Sequence, residues 1–145
     1  MNRADFTLAH RLRVRWSEVD MQRVVFNAQY LVYFDVAVAE YWRAMEAADD
    51  DYMQLYSVKA TVEFHASARY DEEIDVCARV ARIGRSSMTF IFGIWRGAEH
   101  LISGELIYVY ADPQTKRSAP LPERLKSAIL RYERTAPEVG APVTP

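Results

Sequence analysis

The chain has 145 residues, of which 50% are hydrophobic and 26% charged, with a formal net charge of −2. That fits a single domain with a core of its own and gives no sign of a nucleic-acid partner, which calls for strongly basic surfaces. A single cysteine, Cys77, excludes a disulfide framework and points to a reducing compartment. No N-terminal apolar stretch suits a signal peptide and no run approaches a membrane span, so a cytoplasmic protein without membrane partners is expected.

In chain order, residues 8–16 come first. Leu8, His10, Leu12, Val14 and Trp16 alternate with Ala9, Arg11, Arg13 and Arg15, the period of a strand with one wet face. Residues 28–48 carry Tyr30, Phe34, Tyr41 and Trp42 at helical spacing, and Leu31, Val32 and Val36 make the remaining faces apolar too. Such a segment predicts a helix buried nearly all round, with Asn27 as its N-cap. The acidic run Asp49–Asp51 reads as a solvated turn. Residues 56–66 alternate again, and residues 74–83, 88–95 and 101–111 read as three further strands, with turns at Gly84–Ser87 and 96–100. Pro122 opens a short surface helix over 122–133. Residues 135–145 lack periodicity and are expected to be a disordered tail behind a domain of residues 1–134.

One strand, a long helix, four strands and a short helix imply an α+β layer fold. Asp20 stands where the first strand gives way to the apolar helix. Taken alone, it reads as an ordinary turn residue. Glu18 reads as a strand-end surface charge. The turn residues Arg85, Ser86 and Ser87 read first as solvated. His10, His65 and His100 lack ligand spacing and Cys77 lacks a nearby base, so neither a metal nor a reactive thiol is expected.

The segment "RWSEVDMQRVVFNAQYLVYFDVAVAEYWR" resembles the signature of hotdog-fold acyl-CoA thioesterases of the 4-hydroxybenzoyl-CoA thioesterase-like group. "ARYDEEIDV", "IGRSSMTF" and "DPQTKRSAPLPERL" are similar to that group's later blocks, in the same order. The resemblance implies an antiparallel five-stranded sheet wrapped around one long buried helix. It implies hydrolysis of a thioester to a carboxylic acid and coenzyme A, with Asp20 as general base or nucleophile and the Asn27 N–H as oxyanion donor. Apolar walls would desolvate Asp20. Arg85, Ser86, Ser87 and Arg117, with Lys116 as a weaker candidate, would meet the coenzyme A moiety, which belongs to the substrate, so no separate cofactor is implied. The unit would be a homodimer or homotetramer, each site lying between one subunit's Asp20 loop and its partner's strands. The chain departs from the group's usual pattern with Arg23 where glycine is frequent and Ser67 where proline is frequent. A thioesterase acting on acyl carrier protein, and a non-catalytic acyl-CoA-binding dimer, are the alternatives.

Overall fold

A computed structural model describes residues 1–140, apart from the side chain of Asp49. Its elements are β1 (Leu8–Arg13), α1 (Gln29–Ala44), α2 (Asp49–Tyr52), β2 (Leu55–Phe64), β3 (Glu73–Ile83), β4 (Ser87–Arg96), β5 (Glu99–Tyr110), α3 (Glu123–Tyr132) and β6 (Glu138–Val139). The five long strands pair antiparallel in the order β1-β3-β4-β5-β2. α1 lies across one face of this sheet, which is the hotdog arrangement.

Alternation in the sequence translates directly into layers. Ile74, Val76, Ala78 and Val80 of β3 join Met88, Phe90, Phe92 and Ile94 of β4 in one buried cluster with the Tyr30, Phe34, Ala37 and Tyr41 stripe of α1. Phe34 stacks on Phe92 with ring centroids 4.3 Å apart. The helix comes so close there that a Cβ on Gly104 would stand 2.3 Å from the Phe34 ring, so β5 needs glycine at that point.

Several elements differ from the sequence expectation, each for a local reason. β1 stops at Arg13 because the Arg15 N–H donates to the Glu18 carboxylate (2.8 Å) and residues 16–18 coil into a 3-10 turn. α1 starts later than expected. Gln29 N donates to Phe26 O and Tyr30 N to Asn27 O, so Ala28 takes the cap position and no side chain caps the helix. Asn27 is therefore a turn residue, not the N-cap. Residues 49–52 form a helical turn in place of a solvated loop, and Asp51 is buried against Arg124 at 2.5 Å. The tail is described as far as Gly140. Glu138–Val139 pair parallel with the end of β3, and the Thr135 hydroxyl donates to Asp5 O, while residues 141–145 lie outside the described residues.

α1 is buried on its sheet-facing side only. Leu31, Val32 and Val36 are 37%, 49% and 37% exposed. The two sheet edges also differ. β1 is short and carries His10, Arg11 and Arg13. β2 is longer and exposes Tyr56, Val58 and Phe64 beside its unpaired backbone edge.

Candidate active site

The loop between β1 and α1 is a small hairpin. Val19 bridges Val25, the Asp20 N–H donates to Val24 O and the Arg23 N–H donates to Asp20 O, both at 2.9 Å. Asp20 thus occupies the first position of a tight turn, and its carboxylate accepts the Gln22 N–H at 2.8 Å. The side chain is exposed and carries no ion pair among the described residues. Trp16, Val19, Asp20, Met21 and Arg23 line an open cavity of about 610 Å³. The far side of the hairpin rests on the segment after β2, since Val25 N donates to Ala68 O and Val24 bridges Arg69.

Two residues before Asp20, Glu18 behaves quite differently. It is 5% exposed, so it is a buried carboxylate and not the surface charge expected at a strand end. One oxygen accepts from Arg15 N (2.8 Å) and the Tyr33 hydroxyl (3.0 Å); the other accepts from Arg15 Nε (3.1 Å) and Gln29 Nε2 (3.4 Å). Burial and the adjacent Glu18 charge push the Tyr33 phenol far above its ordinary range, which keeps it a neutral donor. Glu18 therefore ties the entry of the Asp20 loop to the first turns of α1. Sequence periodicity could not reveal this, because the partners sit on a different element.

The hairpin leads directly into the start of α1. The N–H groups of Asn27 and Ala28 donate to no acceptor among the described residues. Free N–H groups at the start of a long helix are suited to a developing negative charge. Asn27 is thus placed one hairpin strand away from Asp20, through the bridge of Val19 with Val25.

The other expected site residues do not join this group within one chain. Arg85 and Ser86 form the turn after β3, and Ser87 begins β4. Arg85 O accepts the Leu121 N–H and Ser86 O accepts the Tyr110 N–H, so the turn packs against the segment carrying Lys116 and Arg117. Arg85 and Arg117 are exposed there, near a cavity of about 400 Å³ lined by Tyr56, Val58, Val109, Ala111, Lys116 and Ser118. The Asp20 loop is attached at Glu72 and Glu73, the opening of β3, while Arg85 follows its end at Ile83. Eleven extended residues separate the two ends, roughly 33 Å.

Two further features were invisible in the sequence. Asp35 of α1 has no ion pair among the described residues; partial burial pushes its carboxyl upward, and its charge helps raise the Tyr108 phenol. His65 and His100, distant in sequence, have ring centroids 4.9 Å apart and both contact the Ser103 hydroxyl. Among the described residues no group of three His, Cys, Asp or Glu side chains could hold a metal ion. Cys77 is buried, and burial lifts its thiol to about 11. No helix of the described residues is long and apolar enough to cross a membrane.

The sheet wrapped on one long helix has counterparts among known proteins. A sequence model described as the thioesterase superfamily matches residues 22–103 of the 145, more than half the chain, and the protein belongs to that family of thioester hydrolases. The matched span opens two residues after Asp20. The acyl-CoA thioester hydrolase YbgC of Escherichia coli O6:H1 is 24% identical over 119 residues, covering 79% of this chain and 89% of its own. Among solved structures, a thioesterase from Thermus thermophilus complexed with coenzyme A and zinc superposes with a TM-score of 0.81 at 24% identity, over 89% of this chain and 96% of its own. Slr0204, a 1,4-dihydroxy-2-naphthoyl-CoA thioesterase from Synechocystis, superposes with a TM-score of 0.76 at 19% identity, over 83% and 93%.

Proposed function

We propose that the protein hydrolyses acyl-CoA thioesters in the cytoplasm, with Asp20 as general base or nucleophile. The observation that carries this is the placement of Asp20: an exposed carboxylate without a cation partner, opening on a cavity, on the hairpin that runs into free N–H groups at the start of α1. Either Asp20 or a water it deprotonates attacks the thioester carbonyl. The Asn27 and Ala28 N–H groups receive the oxyanion. The thiolate of coenzyme A then leaves, and because thiols ionise near pH 8.5 it needs little help from an acid; where Asp20 itself attacked, water then cleaves the resulting aspartyl anhydride, releasing the carboxylic acid and restoring Asp20.

The site is completed by a second copy of the chain. β2 is the longer and more apolar free edge, and antiparallel pairing of two β2 strands would lay one protomer's Leu55 end beside the other's Phe64 end. Arg85, Ser86, Ser87 and Arg117 of one chain then approach the Asp20 loop of the other, where the coenzyme A phosphates would meet them. The same pairing puts the exposed stripe of α1 into the acyl pocket. Asp35 gives that wall one polar point, which suits an acyl group ending in a hydrogen-bond donor.

The test is Asp20→Asn. Asparagine keeps the Gln22 contact and the size of the side chain but cannot act as base or nucleophile. Across aromatic, short and long acyl-CoA esters, kcat should fall at least ~100-fold for every ester the wild-type chain turns over, the low end for a lost general base. Melting temperature and coenzyme A affinity should be retained. Activity within a few-fold of wild type would remove Asp20 from the mechanism. Faster turnover of carrier-protein esters would favour the carrier-protein thioesterase, and wild-type binding without any turnover would favour the non-catalytic dimer.

A further inference from the structure

The sheet face turned away from α1 carries a second cluster of side chains with chemistry of their own. His65 follows the end of β2, and His100 and Ser103 lie on β5. Ser103 and His100 are half-buried and His65 is exposed. The Ser103 hydroxyl oxygen stands 2.9 Å from His65 Nε2 and 3.2 Å from His100 Nε2. The surroundings fix which group donates. His100 Nε2 also lies 2.9 Å from Ile102 O. A carbonyl oxygen can only accept, so this nitrogen carries the hydrogen, and Ser103 Oγ accepts from it too. The serine keeps its own hydrogen to donate. Its candidate acceptors are His65 Nε2 and the Met1 thioether at 4.0 Å, and the nearer imidazole nitrogen is much the stronger acceptor. The hydrogen bonds therefore run one way, from His100 N–H to Ser103 O–H to the lone pair of His65.

The neighbours hold this order in place. The His100 ring stacks on Trp95 with centroids 4.6 Å apart and meets the His65 ring at 4.9 Å. Gly93 pairs with Ser103 from β4, and the Trp95 ring fills the space a Cβ there would need, 2.3 Å away. Burial, more than the proximity of His65, holds the His100 imidazole below its ordinary value. Ser103 opens on a cavity of about 210 Å³ lined also by Met1, Ile91, Glu63 and Glu105. Neither glutamate has an ion pair among the described residues. A hydroxyl donating to a neutral histidine is a nucleophile beside its base, and the stacked His100 N–H is placed to receive an oxyanion. We propose that Ser103 is a nucleophile with His65 as its general base, accepting short acyl groups from esters that carry no negative charge. Ser103 Oγ bonds to the ester carbonyl carbon while its proton passes to His65 Nε2. The carbon–oxygen bond to the leaving alcohol breaks, and that alcohol takes the proton from His65. Water then attacks the acyl-serine and gives a proton to His65, which returns it to Ser103 Oγ as the carboxylic acid departs. The small cavity selects a short acyl group, and the two free carboxylates repel a phosphate-bearing carrier.

The experiment treats the chain with phenyl acetate near neutral pH and locates the acetyl group by mass spectrometry of the digested protein. Acetyl should accumulate on Ser103 in the wild-type chain and equally in Asp20→Asn, so the result is readable whatever Asp20 does. His65→Gln should slow the labelling about 100-fold, the low end for a lost general base. Ser103→Ala should remove the label. Locating the acetyl group in the wild-type chain needs no variant, and thermal melting checks that each variant is folded. S-acetyl-N-acetylcysteamine, an uncharged thioester, should label Ser103 at least about tenfold faster than acetyl-CoA, which adds only distant phosphates to the same reacting bond. Absence of acetyl on Ser103 in the wild-type chain overturns the assignment, as does acetyl held on His65 with Ser103 unmodified. Labelling of His65→Gln at the wild-type rate removes the base and overturns it as well. Loss of the label in Asp20→Asn would mean that the acyl group arrives by way of the Asp20 site, and equal labelling by the two thioesters would refute the exclusion of charged carriers.

Discussion

Glu18→Gln separates two carboxylates that stand two residues apart. Glu18 receives hydrogen bonds on both oxygens, from Arg15 N and the Tyr33 hydroxyl on one and from Arg15 Nε and Gln29 Nε2 on the other. Glutamine offers one acceptor and one donor. With its amide NH2 in the second slot, two N–H donors are faced by a third. With the amide reversed, Tyr33 can turn to accept, but the Arg15 N–H loses its acceptor. Either way a buried donor goes unpaired, at about 1–3 kcal/mol, with some charge-assisted strength lost as well. The ion pair with Arg15 adds little, because that arginine is 77% exposed. A total near ~2–3 kcal/mol, at roughly 2–4 °C for each kcal/mol in a chain of this size, lowers the melting temperature by about 5–10 °C. Because Glu18 anchors the Asp20 hairpin to α1, kcat should also fall, by ~10-fold or more for an ångström-scale displacement of the carboxylate. Urea and thermal unfolding alongside steady-state hydrolysis measure both effects. A variant that melts within about 1 °C of wild type with unchanged kcat would show that Glu18 does not latch the loop. Asp20→Asn should give the opposite pattern, stability kept and turnover lost.

Two other expectations concern the buried Glu133 carboxylate and the shared site. Glu133 accepts from the Tyr41 hydroxyl (2.7 Å) and Val80 N (2.8 Å) through one oxygen, while its other oxygen is buried without a partner, and burial raises its carboxyl above the ordinary range. A carboxyl raised on folding holds its proton more tightly when folded, so stability is lost as pH rises from the unfolded value, about 4.3, through the folded one. Glu133→Gln keeps both accepted bonds, and its melting advantage over wild type should grow from pH 4 to pH 8; a flat or reversed difference refutes this. For the shared site, Arg85→Ala should raise KM, and mixing it with Asp20→Asn should regenerate one site built entirely of wild-type residues in each mixed dimer. Recovery of low-KM activity above the sum of the separate variants is the expected result, and strict additivity would place both residues in sites formed within one chain.

What the sequence made legible was whatever depends on neighbours along the chain. Alternation in residues 56–66 and 74–83 reports a face, and the face is local. The hairpin carrying Asp20 was readable because its residues are contiguous. Glu18 was misread because Tyr33 and Gln29, which make its burial tolerable, come from α1. Asp51 was misread because Arg124 lies 73 residues away. Asparagine caps well, so the sequence alone favours an Asn27 cap for α1, whereas the chain enters through overlapping turns closed by the Phe26 and Asn27 carbonyls. The pairing at Glu138–Val139 has no periodic signal, since two residues cannot show a period.

Two of these features have one physical origin. The sequence predicts a helix buried nearly all round, yet in one chain Leu31, Val32 and Val36 face outward. The resemblance sets each site between one subunit's Asp20 loop and its partner's strands, and one chain holds Asp20 and Arg85 near opposite ends of β3. Apolar residues on the free face of a helix make sense where something apolar covers them. Site residues divided between the ends of an antiparallel sheet meet when two such sheets join edge to edge about a two-fold axis, because that axis reverses strand direction. The edge suited to joining, β2, is the one that exposes Tyr56, Val58 and Phe64. On the proposed reading, then, a residue pattern that looks inconsistent in the monomer is the pattern of a protein whose acyl pocket and phosphate contacts are both assembled by a second copy of itself.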